Sequence, residues 1–181
     1  EFPNPATAAA LTFMGPLLGS LIRPIGGKLA DRYTGSLVTF WNFLAMAVGT
    51  LVVLGAALLH SLPLFVAGFI LLFVFSGLGN GSTYKMIPAI FMAKAQLAVG
   101  AGMPIDEANT QSLRRSGALI GLAGAIGALG GFGVNLAFRQ SFLSMGNANG
   151  AYLGFIGFYV ICMVVVWAWF MKKRTGRLDG V

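Results

Sequence analysis

The chain has 181 residues, of which 57% are hydrophobic and only 9% charged, where a soluble domain carries about 25% charged residues. With a mean hydropathy of +0.82 and long apolar runs, it reads as an all-α integral membrane protein rather than a soluble domain. The net charge of +7 would suggest nucleic acid on a soluble chain. Here most of it falls between apolar runs, where it reports topology, so the expected surroundings are a lipid bilayer, with no nucleic-acid partner.

In chain order, Glu1 is not a methionine and Phe2-Pro3-Asn4-Pro5 reads as the exit of a preceding element. The expectation is a C-terminal fragment whose N-terminal half is missing. A first span is expected over about 6–27, holding Pro16, Pro24 and several glycines, which membrane helices tolerate. The charged stretch 28–35 is expected as a loop. A second span follows over 37–59, with Asn42 expected to make an interhelical hydrogen bond. His60 sits at the turn before a third span over 64–92. That span contains the most polar intramembrane stretch, Ser76-Gly77-Leu78-Gly79-Asn80-Gly81-Ser82-Thr83-Tyr84-Lys85. Residues 94–115 are polar enough to be read as a loop. A fourth span, 116–138, is dense in glycine at spacings of three and four, a pattern read first as helix packing. A loop over 139–149 and a last span over 150–171 complete the five.

Lys28, Arg32, Lys94, Arg114, Arg115, Lys172, Lys173, Arg174 and Arg177 all fall on one side of this five-span arrangement, and Arg139 alone on the other. The basic side, with the C-terminus, is expected in the cytoplasm, and the location is a cell inner (plasma) membrane.

Candidate chemistry lies in what the spans contain. Glu1, Asp31, Asp106, Glu107 and Asp179 all fall in loops or termini, so no carboxylate proton relay or cation site is expected inside. One histidine and one cysteine, Cys162, supply no metal site, no haem ligation and no disulfide. Neither a cofactor nor an enzyme's catalytic set is expected. What remains in the membrane is positive or neutral: Arg23, Lys85, Asn80, Ser82, Thr83, Tyr84 and glycine amides. Arginine offers planar, multidentate donors to an oxyanion, and Asn80 and Tyr84, four apart, share a helix face. For Arg23 the alternative is to snorkel or bond neighbouring carbonyls; Lys85 is read as snorkelling. The residues alone point to an anion-friendly pathway, leaving transporter, channel and complex subunit open.

Gly26-Gly27-Lys28-Leu29-Ala30-Asp31-Arg32-Tyr33-Thr34-Gly35 resembles the cytoplasmic gating motif of the major facilitator superfamily, with Gly27, Asp31 and Arg32 as the matching positions. Together with Arg23, the stretch Gly77 to Ile87 and the stretch Gly121 to Gly131, it resembles the nitrate/nitrite porter family over essentially the whole chain. The resemblance implies a C-terminal part of the superfamily fold, helices 8–12. It also implies a substrate site between two six-helix halves. It implies that Arg23 is one of two anion-binding arginines, that Tyr84 flanks a planar anion, and that Gly121 and Gly124 lie on the helix lining the site. The family often has serine at the Gly124 position, so a hydroxyl contact is absent there. The implied activity is transport of nitrate or nitrite by alternating access, first as nitrate/nitrite antiport. Proton-coupled nitrate symport and transport of another small anion are the alternatives.

Overall fold

The computed structural model describes residues 5–172, with side chains from Phe13 onward. Phe2, Pro3 and Asn4 of the expected exit segment and the terminal Lys173, Arg174 and Arg177 lie outside the described residues, while Pro5 opens α1. Five α-helices follow one another: α1 (Pro5–Tyr33), α2 (Gly35–Leu58), α3 (Leu62–Gly100), α4 (Ile105–Met145) and α5 (Asn149–Val166), the last running into a π-helical turn, Trp167–Met171. No strand occurs among the described residues. The fold is all-α, and α2, α3, α4 and the α5–π segment are each long and apolar enough to cross a membrane. α1 has the length, at 29 residues, but Arg23, Lys28, Asp31 and Arg32 interrupt its apolar surface.

The helices overrun the spans read from the sequence. The stretch 28–35, expected as a loop, continues α1 as far as Tyr33, and Thr34 alone breaks it from α2. The stretch 94–115, also expected as a loop, is almost entirely helical: α3 persists to Gly100, and only residues 101–104 turn. The turn is closed by Gly102 in a left-handed conformation (φ 100°) and by Pro104, whose ring cannot continue a helix but can precede one. Asp106 and Glu107 then fall in the first turn of α4, where carboxylates meet the positive end of the helix dipole. Polarity was misleading here, because a helix leaving the bilayer keeps its backbone pattern while changing its surface. Likewise 139–149 is helical to Met145 and stops at Gly146, again left-handed (φ 70°), whose N–H donates to the Phe142 carbonyl at 3.0 Å.

α3 is the axis of the bundle. It packs along α1 on one side and α2 on another, and its far end meets α4. α1 and α3 run parallel in register: Gly19 meets Gly77, Arg23 meets Gly81, and Asp31 meets Lys85. The contacts are close because the facing residues are small. A Cβ on Gly77 would strike the Gly19 carbonyl, one on Gly81 the Arg23 carbonyl, and one on Gly26 the Leu78 carbonyl. Backbone-to-backbone approach of this kind is how helices associate where lipid removes the hydrophobic driving force. The buried apolar core is built mostly of small side chains, Ala30, Ala47, Val53, Ala56, Ala95, Ala108 and Ala151, with Ile87, Tyr152 and Val166 its larger members.

The α2–α3 seam is polar. Ser36, Thr39, Asn42 and Ser82 are all buried. The Thr39 and Ser82 hydroxyls lie 3.1 Å apart, and Ser82 Oγ donates to the Gly79 carbonyl at 3.0 Å. Asn42 departs from expectation. Its Nδ2 reaches only Met46 Sδ within its own helix, at 3.6 Å, and its Oδ1 is buried without a partner. Gly79 explains the geometry: the Asn42 amide occupies the space that a side chain there would take.

Candidate functional site

Parallel packing of α1 on α3 creates a cleft of about 210 Å³ lined by Pro16, Gly19, Ser20, Arg23, Phe73, Ser76, Gly77 and Asn80. Two of the residues singled out from sequence, Arg23 and Asn80, therefore share one cavity wall to wall. Of two others it contains, Ser20 was missed, and Ser76, at the head of the polar stretch, was not taken as a site residue. Their signal was present: Ser20 stands three before Arg23 and Ser76 four before Asn80, spacings that put each pair on one helix face.

Arg23 has no ion pair; the one salt bridge among the described residues joins Lys85 Nζ to Asp31 Oδ2 at 3.0 Å. An arginine in an apolar helix with no carboxylate partner leaves its donor fork free for an anion. The cleft has no acidic residue among its lining, so its field is positive. A larger cavity of about 260 Å³ lies behind it and shares Phe73 and Ser76. Its walls are mainly Phe69, Phe138, Phe155, Tyr152 and Tyr159, an apolar box that would solvate a small anion poorly.

Tyr84 and Gly124 come together elsewhere. A Cβ at Gly124 would stand 3.5 Å from the Tyr84 hydroxyl, an ordinary contact. Neither lines the Arg23 cleft, and Gly121 faces open space. The glycines of α4 do not pack within the described residues: Gly117, Gly121, Gly127, Gly130, Gly131 and Gly133 have no neighbour within 4 Å of a built Cβ. The packing glycines are instead those of α1 and of α3, the latter chiefly in the stretch that the sequence presented as the polar one.

The gating-motif residues cluster at the end of α1. Gly27 lies 4.0 Å, measured from a built Cβ, from the Gly81 carbonyl. Asp31 takes the bridge from Lys85, and the Arg32 guanidinium stands over the Tyr33 ring at 5.3 Å. Lys85 does not simply snorkel; it ties α3 to α1 one residue beyond Tyr84. A pocket of about 250 Å³ opens between Asp31, Arg32, Thr34, Lys85 and Met86.

The chain is 33% identical over 98% of its length to the nitrate/nitrite transporter NarU of Escherichia coli (strain K12). It is 33% identical over 96% of its length to NarU of Salmonella typhimurium. Over nearly its whole length the chain is a homologue of these nitrate/nitrite transporters. A probable nitrate/nitrite antiporter, NarK2 of Thermus thermophilus, is 29% identical over 97% of the chain. No family model matches. The chain spans about 39% of the length of the Escherichia coli relative. Its apolar helices make it a multi-pass membrane protein, and its relatives are named as transporters.

Proposed function

We propose that this chain contributes one wall of an anion site in a transporter that moves nitrate and nitrite by alternating access, exchanging one for the other. The observation that carries the reading is Arg23, free of any carboxylate, in a cleft it shares with Asn80 on the facing helix. A guanidinium held in an apolar helix is costly unless something compensates it, and a small planar oxyanion compensates it bidentately.

In this reading the second arginine of the family's site comes from the half of the transporter outside the chain. Two arginines facing an empty site repel each other, and the anion removes that repulsion, so closure favours the loaded state. Such a site supports exchange over leak. Tyr84, beside Gly124 and one residue from the Lys85–Asp31 bridge, joins the loaded site as its aromatic flank only when the helices move. Gly121, on the open face of α4, meets the other half. Gly27, Asp31 and Arg32 act at the gate. The end bearing Lys28, Arg32, Lys94, Arg114 and Arg115 faces the cytoplasm, following the distribution of positive charge.

Counterflow in proteoliposomes tests this with the full-length protein. Vesicles loaded with nitrite are expected to take up labelled nitrate, and empty vesicles are not. Arg23→Lys, which keeps the charge but loses the planar fork, is expected to reduce uptake by at least tenfold, on the order of a lost charge-assisted hydrogen bond. Uptake into empty vesicles driven by a proton gradient would replace exchange with symport. Unchanged uptake in Arg23→Ala would end the reading.

A further inference from the structure

We propose that Ser20 and Ser76 form a second layer of the anion site that selects nitrate over nitrite, an inference resting on the transport reading above. Three observations carry it. Both serines line the cleft that holds Arg23 and Asn80. The parallel register of α1 and α3, with Gly19 against Gly77 and Arg23 against Gly81, puts Ser20 and Ser76 at one level and Arg23 and Asn80 at the next. The levels are one helical turn apart, about 5 Å.

The third observation concerns where hydroxyls go. In an apolar helix a serine or threonine ordinarily returns its proton to a carbonyl three or four residues back. Thr50 does so to Met46, Ser82 to Gly79, Ser116 to Leu113 and Ser144 to Gln140. Ser20 and Ser76 make no hydrogen bond among the described residues, and both are exposed to the cleft. Their donors are unspent, and they stand on opposite walls.

Nitrate and nitrite both present two oxygens to a guanidinium fork. They differ in the third oxygen of nitrate, which points directly away from that fork. With Arg23 holding two oxygens at one level, the third reaches the neighbouring level, where Ser20 and Ser76 donate to it. Nitrite leaves those hydroxyls unused. The hydroxyls therefore add affinity for the three-oxygen anion and little for the two-oxygen one.

The test is the half-saturation for each anion in proteoliposomes of full-length protein, wild type against Ser20→Ala/Ser76→Ala. Loss of a hydrogen bond to a charged acceptor corresponds to about tenfold in affinity. The expected result is a nitrate half-saturation raised about tenfold or more, with nitrite changed by less than about threefold. Ser76→Thr in the Ser20→Ala background, which keeps one hydroxyl, is expected to recover part of the nitrate preference. An unchanged nitrate-to-nitrite ratio in a variant that still transports overturns this inference alone. Failure of wild-type protein to transport either anion overturns the transport reading and this inference with it.

Discussion

Replacing Gly77 by alanine probes one of the close backbone approaches of α1 and α3. The new methyl would land on the Gly19 carbonyl oxygen. The obstacle is backbone, not the tip of a flexible side chain, so it cannot rotate aside, and α1 must move off α3 by on the order of 1 Å. Overpacking of this sort costs about 1–3 kcal/mol. The displacement also acts on the cleft, since Gly19 is one turn from Arg23 and Gly77 is three residues from Asn80. A misplacement of about 1 Å between binding groups is enough to weaken function by up to ~100-fold. The assay is thermal unfolding of purified full-length protein, paired with nitrate half-saturation. Gly127→Ala serves as the comparison, because nothing stands within 4 Å of its built Cβ. Gly77→Ala is expected to lower both stability and affinity. Gly127→Ala is expected to leave stability unchanged or raise it by less than about 1 kcal/mol through helix propensity. If Gly77→Ala matched wild type in both measurements, tight α1–α3 contact would not be what sets the site.

Gly79→Ala is expected to destabilise through the Asn42 amide, and Asn42→Ala should suppress it, with a coupling of about 1 kcal/mol in a double-mutant cycle of unfolding; additive effects would show that the two do not compete for space. Removing the exposed Lys85–Asp31 bridge by Lys85→Ala is expected to cost no more than about 1 kcal/mol of stability. A charge swap, Asp31→Lys with Lys85→Asp, should restore whatever transport either single change loses, whereas an inactive swap would show that the pair does more than attract. Thr34 holds φ 75° and ψ 143°, a conformation suited to glycine that costs other residues about 1–3 kcal/mol; Thr34→Gly is therefore expected to raise the unfolding temperature, and a lower one would refute the strain. Ser82→Ala strands the buried Thr39 hydroxyl and is expected to cost about 1–3 kcal/mol, with Thr39→Val recovering most of it.

The helices and their order could be read from apolar runs of about 20 residues, since bilayer thickness forces that length. Arg23 and Asn80 could be read because charge and amide are rare in such runs. What could not be read was partnership. Ser76 and Ser20 look like ordinary helix serines until the register of α1 against α3 puts them across from each other. Lys85 looked like a side chain reaching for water because its partner, Asp31, is 54 residues away in sequence. The glycines misled in both directions. Those of α3 lie among polar residues and looked like a ligand segment, yet they carry the helix crossings. Those of α4 form the regular pattern expected of packing and stand open. Spacing reports which residues share a face, but not what that face meets. The loops were misplaced for a related reason: hydropathy finds where a helix leaves lipid, not where it stops being a helix.

α3 runs 39 residues without a break, about 58 Å at 1.5 Å per residue, nearly twice a bilayer's hydrocarbon thickness of about 30 Å. Its far end returns through a four-residue turn into α4, so the two form a paired rod in which Pro88, lacking a backbone donor, is the one interior proline of α3. Such a rod is a lever with its fulcrum at the glycine crossing and its free tip at residues 101–104. From Gly81 to Gly100 the arm is about 28 Å, and a tilt of only about 5° would swing the tip by roughly 2–3 Å. A reporter placed on that turn would magnify small rearrangements at the Arg23 cleft into a displacement that distance spectroscopy can read.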